Sequence, residues 1–160
     1  KSGFTLIELM SVVVVIGIAS ALASPIFNRA IQRLRFRGET KDVLSTLRTA
    51  RSFALSQKDP FGVYFDGNNR IVTLFKDIVN PADQIFETGD SALRVDTLPP
   101  DIIYLYAGFT NSCIIYEPNG TASGTGYIYL MSDNSSVVNI SQLHVLASTG
   151  RSRVNYIHNY

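Results

Sequence analysis

Cysteine, tryptophan and net charge are scarce in this sequence of 160 residues. Cys113 is the only cysteine, which excludes an intramolecular disulfide and a cysteine-based metal cluster. Tryptophan is absent, charged residues make up 17% of the chain, and the formal net charge is +1. With so small a net charge, binding to nucleic acid or to acidic lipid has to be local.

Charge is missing altogether from Leu9 to Phe27, a run of 19 residues. As a helix this run spans about 28 Å, close to the ~30 Å of a bilayer core. Three interpretations compete: a membrane anchor, a buried globular helix and a cleaved signal peptide. A signal peptide has a shorter apolar region of ~7–15 residues, although the small residues of Ser20–Ser24 suit a cleavage site. The length of the run favours a membrane helix.

Glu8 borders this apolar run. An ionised side chain inside a bilayer costs ~2.5–3.5 kcal/mol on insertion scales, so it usually has a partner. Cleavage after Gly3 would give Phe4 a free α-amino group four residues before Glu8. The two opposite charges could then neutralise each other within one chain or between chains. A plain anchor gives no reason for this carboxylate.

The segment GFTLIEL, Gly3–Leu9, resembles the class III signal of type IV pilins and type II secretion pseudopilins. The resemblance implies that a prepilin peptidase cleaves between Gly3 and Phe4 and methylates the new amino terminus. It also implies that Glu8 docks subunits during assembly and that Pro25 is the family's helix-kinking proline. Gly17 is a second weak point, because glycine costs ~1 kcal/mol in a helix. The resemblance implies that the stretch between Gly17 and Pro25 can lose helicity when it is packed in a filament.

Four arginines follow the apolar run at positions 29, 33, 35 and 37. They predict anchoring at lipid headgroups, with ion pairing between filament subunits as the alternative. By the positive-inside rule alone, they would place the amino terminus outside the cell. The family resemblance implies the opposite orientation, with the amino terminus in the cytoplasm, and we follow the resemblance.

Helical periodicity resumes after the proline. Val43, Leu47, Ala50 and Ala54 share one helix face, which predicts an amphipathic helix that ends at about Gln57. We therefore expect four segments. They are a leader remnant (1–3), a transmembrane and filament-core half-helix (4–27), an amphipathic half-helix (28–57) and a β-rich globular head (58–160).

Short apolar runs separated by Gly, Pro and Asn predict antiparallel strands in the head. The predicted fold class is α+β, a long N-terminal hydrophobic helix packed on a C-terminal antiparallel β-sheet head. The predicted strands are Val63–Phe65, Arg70–Phe75, Leu93–Val95, Ile102–Tyr106, Cys113–Tyr116, Tyr127–Met131, Val137–Ile140, Leu143–Ala147 and Arg153–Ile157.

Three separated blocks narrow the resemblance. RTARSFALSQ (48–57), YEPNGTASGTGYIYL (116–130) and TGRSRV (149–154) resemble GspH/FimT-type minor pseudopilins and minor pilins. This resemblance implies a subunit that sits in the bacterial inner membrane, with its head periplasmic or outside, and then enters a pilus or pseudopilus. The implied partners are membrane lipid, prepilin peptidase, an inner-membrane assembly platform and other pilin or pseudopilin subunits.

Arg151 and Arg153 are two residues apart, so on a strand they project to the same side. Paired guanidiniums can hold phosphates bidentately. In minor pilins of DNA-uptake machines, a C-terminal GRxR segment is associated with DNA binding, which makes these arginines candidate DNA contacts. The alternative is that Gly150 forms a turn and the arginines pair with acids on a neighbouring strand.

Nothing in the sequence favours catalysis. His144 and His158 lack the spacing of metal ligands, and Cys113 lies in an apolar strand pattern typical of a buried residue. We expect no enzyme activity, metal or cofactor. The sequence predicts a structural filament subunit. The alternatives are a DNA-binding minor pilin of a competence pilus and a membrane-anchored binding domain that does not polymerise.

Overall fold

The computed structural model describes residues 5–81, 83–134 and 137–158. Within these ranges the chain forms one α-helix followed by eight β-strands. The described residues fall into two compact units that divide between Arg35 and Phe36. The helix α1 (Leu6–Gln57) contributes to both units.

Local polar contacts define the two ends of α1. Thr5 precedes the helix, and its Oγ1 accepts a hydrogen bond from the Glu8 backbone N–H at 3.4 Å. At the other end Lys58 has a positive φ of 60°, and its N–H donates to the Ala54 carbonyl at 3.1 Å. The predicted end at Gln57 is confirmed.

In the first unit, the described residues form the amino-terminal part of α1. Every described side chain from Thr5 to Ala30 is exposed. The apolar part of α1 reaches a mean hydropathy of 2.4 over 18 residues, and α1 is the one helix in the described ranges that could cross a membrane. Apolar surface of this extent requires lipid or other helices around it. α1 continues through Gly17 and Pro25 as helix, so a kink at these residues stays a prediction.

The second unit contains all eight strands of the described residues. They form two four-stranded antiparallel sheets, in the order β3-β2-β1-β5 for sheet 1 and β4-β6-β7-β8 for sheet 2. The strands are β1 (Phe61–Asp66), β2 (Ile71–Lys76), β3 (Ser91–Thr97), β4 (Ile102–Ala107), β5 (Cys113–Tyr116), β6 (Gly126–Asn134), β7 (Val137–Leu146) and β8 (Arg151–His158).

One strand prediction was wrong. The predicted strands Val137–Ile140 and Leu143–Ala147 are a single strand, β7, because the polar pair Ser141-Gln142 remains within the ladder. The buried Ser141 hydroxyl lies 3.0 Å from Thr40 Oγ1, and Gln142 Nε2 donates to the Tyr129 hydroxyl at 2.7 Å. Both polar side chains thus have partners, so they do not interrupt the strand.

The second half of α1 packs against both sheets. Its predicted apolar face, including Val43, Leu47, Ala50 and Ala54, is buried. These residues share one core cluster with residues of sheet 1 and of sheet 2. Each fully buried leucine-sized side chain contributes about 1.5–3 kcal/mol through removal from water. The predicted α+β fold, a long helix packed on an antiparallel β-sheet head, is confirmed.

Candidate functional site

The three sequence blocks around residues 48–57, 116–130 and 149–154 meet at one place in the head. From α1, Arg51 Nε donates to the Gly120 carbonyl at 3.0 Å. Gly120 and Gly150 both have a positive φ, of 84° and 59°. A Cβ on Gly150 would collide with the Gly120 carbonyl oxygen, so only glycine allows the two turns to approach this closely. The turns at Gly120 and Gly150 are therefore packed backbone to backbone, and the Arg51 side chain joins the helix block to them.

A second contact sets the orientation of β8. The Tyr116 hydroxyl lies 3.3 Å from Ser152 Oγ, and both residues are buried. Burial raises the pKa of Tyr116 to about 12, against opposing effects of Ser152 and Arg51. The phenol therefore stays neutral and available for the hydrogen bond. Because Ser152 points inward, Arg151 and Arg153 point outward and are exposed, as the sequence predicts.

Four arginines surround an open pocket at this junction. The pocket has a volume of about 350 Å³ and is lined by Arg48, Arg51, Arg151 and Arg153 together with Gly150 and Ser152. We call it the arginine groove. Two of its arginines come from α1 and two from β8. The sequence analysis singled out Arg151 and Arg153 and missed the contribution of Arg48 and Arg51, which depends on the tertiary fold.

The arginine groove carries concentrated positive charge. Among the residues that the structure describes, none of its four guanidiniums lies within 4.0 Å of a carboxylate. The residues opposite Arg151 and Arg153 on β7 are Leu146 and His144, so the neighbouring strand supplies no acid there. Gly150 does form a turn, but the ion pairs of the alternative interpretation are absent from the described part of the chain. The groove suits an anion with carboxylate or phosphate oxygens.

The amino-terminal site is described only in part. Gly3 and Phe4, the predicted processing residues, lie outside the described residues. Glu8 is exposed in the first turn of α1, where the helix dipole favours a negative charge. The sequence analysis missed Thr5, although Thr5-x-x-Glu8 has the spacing of a capping box.

A comparison with known families identifies this amino-terminal segment. Residues 1–24 match the prokaryotic N-terminal methylation motif. Together with the apolar helix, the match supports a type IV pilin-like protein with a structural role. It fits processing by prepilin peptidase, anchoring in the inner membrane and assembly with other pilin subunits. Neither a curated protein nor a solved structure matches the chain significantly.

Other reactive side chains of this pilin-like chain occupy ordinary structural positions. Cys113 is buried, and desolvation raises the pKa of its thiol to about 12, so the thiolate is not accessible near neutral pH. His144 stacks on Tyr127 with 4.6 Å between ring centroids. The side chain of His158 lies outside the described part. No group of three or more His, Cys, Asp or Glu side chains among the described residues could hold a metal ion.

Proposed function

We propose that this protein is a minor pilin or pseudopilin of the GspH/FimT type, a structural subunit of a type IV pilus or a type II secretion pseudopilus. One observation carries the proposal: the methylation motif (residues 1–24) contains Glu8 and most of an apolar helical stretch whose described side chains are exposed from Thr5 to Ala30. Such a surface suits two environments, lipid before assembly and neighbouring helices after it.

Glu8 supplies the docking chemistry in this proposal. Prepilin peptidase cleaves between Gly3 and Phe4, and the methylated Phe4 amine of one subunit pairs with Glu8 of the next. Removing one partner of a buried ion pair typically costs about 3–5 kcal/mol, because the other charge stays buried and uncompensated. The pairing thus favours one axial register over others. Gly17 and Pro25 allow the intervening helix to adapt to the filament.

The four predicted segments take distinct roles in this proposal. Residues 1–3 are removed as part of the leader, and residues 4–27 form the transmembrane and then filament-core half-helix. Residues 28–57 join this core to the head, and residues 58–160 form the filament surface. The helix crosses the membrane once with its amino terminus in the cytoplasm, so the head lies on the periplasmic side until the inner-membrane assembly platform extracts the subunit.

Mass spectrometry of the native amino terminus tests this proposal. We expect a chain that begins with methylated Phe4. An unprocessed leader would instead support a membrane-anchored binding domain that never polymerises. A chain that begins near Pro25 would show that the segment is a signal peptide.

DNA binding in an uptake pilus is a second candidate function, favoured by the arginine groove. Four arginines that lack carboxylate partners among the described residues supply more positive charge than Arg151 and Arg153 alone. The test is retention of the full-length chain, in detergent, on DNA at low salt. The double variant Arg151→Ala, Arg153→Ala should lose retention, whereas Lys41→Ala with Lys58→Ala, which removes equal charge elsewhere, should keep it. Lack of retention by the wild-type chain would contradict this candidate.

A further inference from the structure

A second charged groove lies across α1 from the arginine groove. It is an open pocket of about 210 Å³ between α1 and β3, and its lining includes Glu39, Asp42, Asp96 and Arg94. We call it the acidic groove. Arg94 Nε pairs with Asp96 at 2.7 Å, which leaves the carboxylates of Glu39 and Asp42 as surplus negative charge.

Like charges are crowded around Glu39. Desolvation raises the pKa of its carboxyl group, and the nearby charges of Asp42, Asp101 and Asp96 raise it further. Each of these effects disfavours the ionised form of Glu39. A cationic group placed in the acidic groove would oppose the repulsion, just as an anionic group in the arginine groove would.

Helix geometry places the two grooves on opposite sides of α1. Glu39 and Arg48 are nine residues apart, and so are Asp42 and Arg51. At about 100° per residue, nine residues turn the helix by about 180°. Different sheets complete the grooves, β3 at the edge of sheet 1 and β8 at the edge of sheet 2.

Because the two grooves carry opposite charges on opposite sides of α1, the arginine groove of one copy can face the acidic groove of a second copy that is shifted relative to it. We propose that the arginine groove of one subunit docks onto the acidic groove of a second copy of this chain. Such a contact is heterologous, since each subunit uses one groove for the copy ahead and the other for the copy behind, and it repeats without closing. This inference rests on the proposed role as a filament subunit and requires that copies of this chain lie next to one another, and not singly among other subunits. It supplies a head-to-head contact separate from Glu8.

Two further features support a second copy as the occupant. Guanidiniums bind carboxylates bidentately, and Arg51 is already oriented by the Gly120 carbonyl, so little side-chain freedom remains for it to lose on docking. Beside the acidic groove, β3 is exposed on both faces, with Leu93 and Val95 49% and 57% exposed. A second head docked at the acidic groove would bury the side chains of Leu93 and Val95.

Cysteine cross-linking in membranes that contain the full-length chain tests the contact. Thr97→Cys lies in the acidic groove and Thr149→Cys lies next to Gly150, so both leave every groove charge intact. Both positions are exposed, and Cys113 is buried and will not interfere. Under oxidation we expect a ladder of covalent dimers, trimers and larger species, because each chain carries both halves of the contact.

The matched control replaces Thr97→Cys by Ser45→Cys, which is exposed on the solvent side of α1. It should give at least tenfold less of the ladder. Equal ladders in both variants, dimers alone, or no cross-linked chains would each overturn the head-to-tail contact. Linkage of Thr149→Cys to a different protein, without linkage to Thr97→Cys, would overturn the second copy as the occupant.

Charge reversal then tests the chemistry. In the same cross-linking pair, Arg48→Glu with Arg151→Glu and Arg153→Glu leaves Arg51 as the remaining arginine of the arginine groove and gives a chain with two acidic grooves. Glu39→Arg with Asp42→Arg gives a chain with two basic grooves. Each chain alone should lose the ladder, and co-expression should restore it as an alternating array. No restoration, with both variants protease-resistant in the membrane, would overturn the proposal. If the double change at Glu39 and Asp42 prevents folding, Asp42→Arg alone cancels the net charge of the acidic groove and should itself lose most of the ladder.

The outcome is separable from the proposed filament function. If Phe4 is methylated and the chain enters filaments but no ladder forms, the groove contact is wrong and the filament role stands. If the ladder forms on a chain with an unprocessed leader, the filament role is wrong, and the grooves instead mediate self-association of anchored heads.

Discussion

The two halves of α1 share one secondary structure and differ in what surrounds them. From Thr5 to Ala30 the described side chains are exposed all round, whereas from Phe36 onward one face is buried against two sheets. Helical structure alone therefore does not predict whether a stretch of α1 is surrounded by lipid, by other helices or by the sheets of its own head. The distribution of apolar residues predicts these surroundings. A helix that is apolar on all sides is stable in lipid or among other helices, and an amphipathic helix buries its one apolar face against a folded domain.

The largest effect should separate the two halves directly. Leu47→Ala removes a fully buried side chain and should lower the free energy of unfolding of the head by about 2–5 kcal/mol. Val14→Ala, an equally apolar change in the exposed half, should leave head stability unchanged. Urea unfolding of the full-length chain in detergent measures both. A large loss of head stability in Val14→Ala would show that the two halves are energetically coupled.

The exposed half of α1 and the globular head also differ in the surroundings that they give a carboxylate. Glu8 is exposed, whereas Asp77 is buried, and neither of its oxygens has a hydrogen-bond partner among the described residues. Desolvation, with repulsion led by Asp90, raises the pKa of Asp77 from 3.8 to about 6. The folded state thus holds this proton more tightly than the unfolded state. The stabilisation is fully present below about pH 4 and is lost as pH rises through 6.

We therefore expect Asp77→Asn to raise the free energy of unfolding at pH 7.5 by as much as about 3 kcal/mol relative to wild type, with no such gain at pH 4. Unfolding curves at both pH values check this. Asp133→Asn, at an exposed position, is the control and should show no pH-dependent gain. An equal effect of Asp77→Asn at the two pH values would contradict the burial of an unpartnered carboxylate.

A smaller effect is expected when a glycine is replaced by alanine, and its sign should differ between a turn of the head and the helix α1. Gly150→Ala should lower stability by about 2 kcal/mol, because its positive φ and the adjacent Gly120 carbonyl both exclude a Cβ. Gly38→Ala should instead raise stability by about 0.5–1 kcal/mol, since it lies in α1 with open space around it. Thermal unfolding measures both variants. Equal shifts would show that the contact between the two turns is not tight.

Much of this fold is readable from sequence because it depends on local periodicity. The apolar face at Val43, Leu47, Ala50 and Ala54 predicts the amphipathic half-helix, and the turn residues locate most strands. The continuous strand β7 was not predictable, since the partners that satisfy Ser141 and Gln142 come from α1 and β6.

The arginine groove likewise has one part that the sequence predicts and one part that it does not. The outward pairing of Arg151 and Arg153 follows from strand alternation, and the sequence predicts it. Recruitment of Arg48 and Arg51 into the same groove depends on the contact between Gly120 and Gly150, which only the folded chain reveals. The sequence does not predict the acidic groove for the same reason. Its residues come from α1 and β3, which are far apart in sequence and share no motif.

Incorporation of Glu8→Ala into filaments tests the central claim most directly. The account predicts normal membrane insertion and at least tenfold less of the variant in sheared filament or pseudopilus fractions, since the Phe4 amine would lack its partner in the apolar core. Ser11→Ala, which alters a neighbouring polar residue, should be incorporated normally. Wild-type levels of Glu8→Ala in the filament fraction would contradict the docking role and, with it, the assembly mechanism.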